Sequence, residues 1–397
     1  MKFAHLADCH IGGWREPILK EASIKAFIEA IDLCLERNVD FVLMSGDLFN
    51  TSLPPIEIEK VVFKKLRELK ERGVAVYIIA GSHDFSPSGK TKIEVLEEAG
   101  FVKNVVRGFI DDKKRLNLYF TIDKKTGAKI TGMLGRKGML EKKYYESLNL
   151  EPLEKERGYK IFMFHTAINE LKTEGMEHMD STSISLLPRN FNYYAGGHIH
   201  EIIKTQIEGY GIIAYPGALF PNNFKELEKF GFGGFYIVEE DKVEFIPVKI
   251  YETITIKIDC NNKKPAEIES LVVKEITNKD FKGKIVTLRL YGILKEGKPL
   301  DIDFKELVYK IKEKGAVEVL KNIYALTSKQ FEVIRISGSL ENIEEKIIEE
   351  NLCQLGIEKS ELFSLLSVLA EERGDAERTL DFEKRVYEEV TKILKLD

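Results

Sequence analysis

Five short runs of aspartate and histidine each follow directly on a stretch of apolar residues: Asp8-Cys9-His10, Gly46-Asp47, Gly81-Ser82-His83-Asp84, Phe164-His165 and Gly197-His198-Ile199-His200. Residues 2–7, 41–44, 74–79 and 160–165 read as buried strands, because they are short, apolar and bounded by polar or glycine turns. Between the first three, residues 16–37 and 55–72 place apolar side chains at three- and four-residue spacing, as amphipathic helices do. This alternation predicts an α/β sandwich with mostly parallel strands. Parallel strands end on one rim of their sheet, so the five runs are expected to meet in space.

Those runs hold five of the seven histidines, with three carboxylates beside them. A mixed nitrogen and oxygen donor set suits Mn²⁺, Fe²⁺ or Zn²⁺ rather than Ca²⁺. Asp47 is the natural bridge, since one carboxylate can ligate two cations through separate oxygens. Two adjacent cations lower the pKa of a water between them, aim the resulting hydroxide at a phosphorus and stabilise charge on the phosphate oxygens. The chemistry expected is phosphoester hydrolysis without a covalent intermediate.

The chain reads as three segments. Strands crowd together after residue 117, and a closing hairpin over 231–250 ends the first domain, 1–250. Residues 251–338 restart as strand, helix, strand, helix, strand, with a last strand at 331–336; this small α/β module either caps the substrate path or is a structural appendage. Residues 339–397 show only helical patterns, broken near Gly356 and Gly374, with an apolar stripe of Phe382, Val386, Tyr387, Val390, Ile393, Leu394 and Leu396. Net charge is −5, but the last segment carries 16 acidic against 8 basic residues, which leaves the first 338 residues at +3. Acidity gathered at one end suits a protein partner better than a phosphate backbone.

The opening residues lack the layout of a signal peptide and no apolar run approaches a membrane span, so a cytoplasmic protein that makes no use of a membrane is expected. Cys9, Cys34, Cys260 and Cys353 are scattered without a CxxC pair, which argues against a disulfide framework or a zinc knuckle.

The series DxH, GD, GxHD, H and GHxH resembles that of the calcineurin-like metallophosphoesterases, a β-sandwich flanked by helices, over roughly the first 250 residues. The resemblance implies that Asp8, His10, Asp47 and His200 hold one metal, and that Asp47, His165 and His198 hold the other. The family usually has asparagine where this chain has Ser82; either the serine hydroxyl reaches the second metal or a water fills the gap, and a weaker second site is expected. His83 is the candidate to bind the scissile phosphate and protonate the leaving oxygen. Asp84 either orients His83 or caps the following turn. His5 is expected to be a core or supporting group, and His178 to be solvent-exposed.

The stretches KFAHLADCHIGG, MSGDLFN, GSHDFSPSGKT and AGGHIH followed by AYPGALF look like the SbcD-type (MRE-eleven) DNA double-strand-break repair nucleases. That likeness implies a nuclease acting on DNA ends with two Mn²⁺ per chain, or Fe²⁺, Mg²⁺ or Zn²⁺ in their place. It also implies C-terminal helices that bind an SbcC-type, SMC-like ATPase, and a homodimer formed near the 55–72 helix, whose apolar residues otherwise serve an internal core. Lys90, Lys92 and Arg136 are candidate DNA contacts. The rival readings are a phosphodiesterase or phosphatase acting on nucleotides or phosphoproteins, and a non-enzymatic repair scaffold whose second metal is lost through Ser82.

Overall fold

The computed structural model describes residues 1–136, 141–173, 175–176, 178–240, 242–328, 359–370 and 379–394. The expected strand at 331–336, the boundary at 338, the helix breaks at Gly356 and Gly374, Cys353 and Leu396 lie outside these residues, as does Lys137.

The chain opens as β1 (Lys2–Leu6), α1 (Pro17–Glu36), β2 (Phe41–Ser45), α2 (Ile56–Glu71), β3 (Ala75–Ile79), α3 (Lys92–Glu98) and β4 (Lys103–Asn104). A second series follows: β5 (Gly108–Ile110), β6 (Leu116–Leu118), β7 (Thr121–Ile122), β8 (Lys129–Gly132), α4 (Lys142–Glu146), α5 (Leu150–Lys155), β9 (Lys160–His165), β10 (Tyr193–Gly197), β11 (Ile203–Gln206) and β12 (Ile212–Tyr215). Then come α6 (Phe224–Phe230), β13 (Gly233–Glu239) and β14 (Lys242–Val248), the last two forming the expected hairpin, which joins β1 antiparallel.

Two six-stranded sheets result, in the orders β14-β13-β1-β2-β3-β4 and β11-β12-β10-β9-β8-β7. Their two-residue periodicity builds three layers of core. Phe3, Phe41, Leu43 and Tyr77 of the first sheet meet Ile161, Met163 and Tyr193 of the second between the sheets. The alternate residues Ala4, Leu6, Val42 and Met44 pack under α1 and α2, while Phe162, Phe164 and Tyr194 pack on the far side of the second sheet. The sandwich is therefore α/β, but mixed, because β13, β14, β7 and β11 run antiparallel to their neighbours. Adjacent parallel strands β1, β2 and β3 end beside adjacent parallel strands β9 and β10, at the rim the sequence pattern requires.

Residues 253–328 form a separate layer within the same compact unit, with β15 (Thr253–Asp259), α7 (Pro265–Asn278), β16 (Ile285–Leu294), α8 (Phe304–Glu313), β17 (Glu318–Asn322) and β18 (Leu326–Ser328). Ile256, Leu288, Val272 and Leu307 centre its own core. This module grips α6: Arg289 Nε donates to Glu228 at 2.7 Å with its guanidinium 5.0 Å from the Phe224 ring centroid, and Thr253 Oγ1 donates to the Gly231 carbonyl at 3.2 Å.

The second unit contains α9 (Lys359–Leu369) and α10 (Thr379–Leu394), which contact each other. Along α10, Phe382, Val386, Val390, Ile393 and Leu394 are half-buried and Tyr387 is exposed. Among the described residues, no helix is long and apolar enough to cross a membrane.

Candidate metal centre

The rim where the strands end is built from strained backbone. Asp8, His10, Asp47 and His198 have φ of 48°, 39°, 51° and 85°, in the left-handed region that side chains other than glycine rarely adopt. Each such residue costs about 1–3 kcal/mol, which the surrounding structure must offset. The offset is visible in the hydrogen bonds: Asp8 N–H donates to Gly46 O at 3.1 Å, and His10 N–H to Asp47 O at 3.0 Å, lacing the first two loops together. The loops also need their glycines. A Cβ at position 46 would stand 2.3 Å from His165 Nδ1, and one at position 81 would stand 2.3 Å from Asp47 Oδ1.

Among the described residues, three sets of side chains bring candidate ligand atoms within 4.8 Å of one another: Asp8, His10 and His200; His10, Asp47 and His83; and Asp8, Asp47 and His165. Asp47 Oδ2 lies 3.7 Å from His10 Nε2 and 3.2 Å from His165 Nε2, and so faces both halves of the cage. His10 Nε2 and His200 Nε2 are 3.2 Å apart. His198 joins none of these sets; its ring centroid is 5.3 Å from that of His165, and its backbone N–H donates to Asp8 Oδ1 at 2.9 Å. Ser82 Oγ donates to Asp47 Oδ2 at 3.4 Å, the oxygen that His165 and His10 also approach.

The supporting contacts choose tautomers. Glu226 Oε1 accepts from His200 Nδ1 at 2.7 Å, which leaves Nε2 to point at the cage; Ser45 O accepts from His165 Nδ1 at 2.8 Å with the same effect. Such outer partners are what metal-ligating histidines require. Buried His165 Nε2 faces the Asp47 carboxylate at 3.2 Å, so two ligand atoms converge on one position suited to a cation. The donor set, its burial and these tautomers fit a pair of divalent cations.

Protein charges alone already strain the cage. Burial raises the Asp8 carboxyl to about 7. Burial also works to raise Asp47, but the charges of His165 and His10 outweigh it and hold that carboxyl well below its usual range. Burial opposes a proton on His165 and His200, yet Asp47 lifts the first to about 10, and Glu226 and Asp8 lift the second to about 9. His10 and His198 are pushed down by burial to about 3 and about 4.

One sequence expectation changes here, and one supporting residue was not foreseen. Asp84 does not orient His83: its Oδ2 accepts the backbone N–H groups of Gly81 and Asp47, each at 2.9 Å, so it ties the β3 loop to the β2 loop. The group that orients His83 is the Asn50 carbonyl, which accepts from Nδ1 at 2.8 Å and leaves Nε2 as the free ring nitrogen. A backbone carbonyl has no sequence signature. Glu226 was also missed, although Asn223-x-x-Glu226 is a capping-box pattern that marks the start of α6; Asn223 Oδ1 accepts from Glu226 N–H at 3.0 Å.

Of the remaining candidates, His5 is a buried core group between Tyr193 OH at 2.9 Å and Ser45 Oγ at 3.0 Å. His178 is exposed. Lys90 is exposed on its loop, whereas Lys92 begins α3 and is paired with Glu59 of α2 at 2.8 Å. The Arg136 guanidinium lies over the Phe85 ring, 4.6 Å from its centroid.

A strand-end cage of this kind is that of a metal-dependent phosphoesterase, and the chain belongs to the calcineurin-like phosphoesterase family, whose sequence profile matches residues 1–201. Within it, the chain is 28% identical over 98% of its length to the DNA double-strand break repair protein Mre11 of Archaeoglobus fulgidus, of which it covers 91%. It is 32% identical to the Mre11 of Methanocaldococcus jannaschii over 60% of this chain and 62% of that protein. With the Mre11 of Sulfurisphaera tokodaii the identity is 28%, over 76% of each chain.

Proposed function

We propose that the protein is a nuclease of DNA double-strand-break repair that hydrolyses phosphodiester bonds at DNA ends with two Mn²⁺ ions. The carrying observation is the cage centred on Asp47, whose Oδ2 faces His10 on one side and His165 on the other. The likeness to Mre11 proteins along nearly the whole chain supports DNA as the substrate.

Asp8, His10, Asp47 and His200 would hold one cation, and Asp47, His165, His198 and Ser82 would hold the other. When bound, the cations supply Lewis-acid activation of water and neutralise charge on the phosphate. The residues do the rest. Glu226 and the Ser45 carbonyl keep His200 and His165 in the tautomers that ligate. His83, anchored through Nδ1, presents Nε2 to protonate the leaving oxygen. Asp84 holds the loop that carries it.

The exposed apolar residues Leu53 and Ile56 at the start of α2, with Val95 on α3, favour a homodimer formed on that face. The stripe on α10 favours a protein partner, and the likeness to SbcD-type nucleases favours an SMC-like ATPase. The decisive experiment is degradation of linear duplex DNA with added Mn²⁺. It is expected for the native chain and lost in Asp47→Asn and His83→Gln; digestion by either variant at the native rate would overturn the reading.

A further inference from the structure

Two cavities flank the cage, and they differ in their charged lining. One, of about 530 Å³, is lined by His198 and His200 and by both carboxylates and ammonium groups, Glu201 and Glu226 with Lys225 and Lys229. The other, of about 500 Å³, shares Ser82 and His83 with the cage and continues past Asn50, Ser52, Phe85 and Arg136; among the described residues no carboxylate lines it. Its size is in the range that holds one nucleotide-sized ligand.

Among the described residues, Arg136 is the one lysine, arginine or carboxylate side chain of this lining. Phe85 covers one face of its guanidinium, and its Nε is buried without a hydrogen-bond partner. No carboxylate among the described residues forms an ion pair with it. The side chain is half-buried, and its planar fork matches two phosphate oxygens. The backbone beneath it is fixed, since Arg136 N–H donates to the buried Glu141 at 3.2 Å and Gly135 N–H to the Ala80 carbonyl, at the end of β3, at 2.9 Å. The group is therefore held beside His83 before any ligand arrives.

Direction follows from His83. A proton donated from its Nε2 goes to the leaving oxygen, so the departing nucleotide exits on the His83 side, into this cavity. We propose that the cavity is a subsite for the leaving nucleotide, in which Arg136 grips the phosphate next to the one being cut. The inference rests on the nuclease reading above, and it names that site's requirement: a substrate with a second phosphate on the leaving side.

The test compares thymidine dinucleotides with and without a terminal phosphate, on either the 5′ or the 3′ end, as inhibitors of Mn²⁺-dependent bis(p-nitrophenyl) phosphate hydrolysis. In the native chain one of the phosphorylated dinucleotides should inhibit at least about tenfold better than the bare one, as a charge-assisted bidentate contact predicts. In Arg136→Ala that advantage should fall below about threefold, and in Arg136→Lys, which keeps the charge but not the fork, it should be intermediate. Because the advantage is a ratio within each variant, a general loss of activity cancels. If Arg136→Ala does not fold, Arg136→Lys carries the comparison, and an undiminished advantage there overturns the proposal. No advantage in the native chain, or an unchanged one in Arg136→Ala, overturns it too. Failure to degrade DNA by a chain that shows the advantage would sink the nuclease reading alone.

Discussion

Glu226 Oε1 accepts from His200 Nδ1 at 2.7 Å while its Oε2 accepts the Asn222 N–H at 2.7 Å, so one carboxylate both selects the tautomer of a cage histidine and closes the start of α6. Asn223 Nδ2 contributes a further hydrogen bond to the same carboxylate. Through Glu228 and Phe224 the same helix is clasped by Arg289 of the small α/β module, which thereby braces a residue of the metal centre. Glu226→Ala should weaken Mn²⁺ binding about 10–100-fold, the usual effect of removing the outer partner of a ligating histidine. Loss of the cap should also lower stability by about 1 kcal/mol. Calorimetric titration with Mn²⁺, beside thermal unfolding in chelator, separates the two effects; full Mn²⁺ affinity in the variant would show that His200 needs no such support.

His83 should behave differently from the cage residues around it. Its ring is anchored on the Asn50 carbonyl and its N–H donates to Asp47 Oδ1 at 2.7 Å, so a glutamine there keeps the backbone contact while removing a transferable proton. His83→Gln should lower kcat on DNA by about 10²–10⁴-fold, the range of general acid catalysis, with Mn²⁺ affinity within a few-fold of native. A parallel collapse of metal affinity would instead make His83 a ligand, a role its closeness to His10 and Asp47 permits.

Much of the centre was legible because strand termini advertise themselves. Apolar runs such as Phe3-Ala4 and Phe41-Val42 stop abruptly at Asp8 and Asp47, and in a parallel sheet that coincidence has one geometric outcome. The supports were less legible for physical reasons. Asn50 acts through its carbonyl, which every residue possesses. Glu226 lies 26 positions beyond the histidine it orients, on a helix whose capping box signals only where the helix begins. Asp84 sits beside His83 in sequence, yet its side chain turns inward to the Gly81 and Asp47 amides, because two buried N–H groups there have no strand partner. Lys92 reads as a loop cation only until α3 brings it to Glu59.

Ser82 provides a direct test of the second metal position. Its hydroxyl reaches toward Asp47 Oδ2 at 3.4 Å, the same oxygen that His165 Nε2 faces. Ser82→Asn would extend an amide oxygen farther into that half of the cage and add a ligand. The Mn²⁺ concentration giving half-maximal hydrolysis should fall roughly tenfold, at the low end of what gaining or losing one supporting metal contact is worth. Stoichiometric titration should show a sharper second equivalent. An unchanged or higher Mn²⁺ requirement would mean that the serine already ligates as well as the amide.

Metal and proton compete for the same atoms, and the sign of that competition is set by His165 and His200. Against the burial that opposes them, the charges of Asp47, Glu226 and Asp8 raise their folded pKa values to about 10 and about 9, above the 6.5 of a free imidazole. A raised histidine stabilises the fold fully below 6.5, and the contribution is lost as pH climbs through the folded value. The metal-free chain should therefore lose stability between pH 7 and 10. Mn²⁺ binding must expel these protons, so its apparent affinity should rise over the same interval. Thermal unfolding in chelator and calorimetry in buffers of different ionisation enthalpy measure the two trends. At pH 7.5 binding should release protons to the buffer; release of none would mean that the cage histidines are already neutral and that the carboxylates around them are weaker partners than their distances imply.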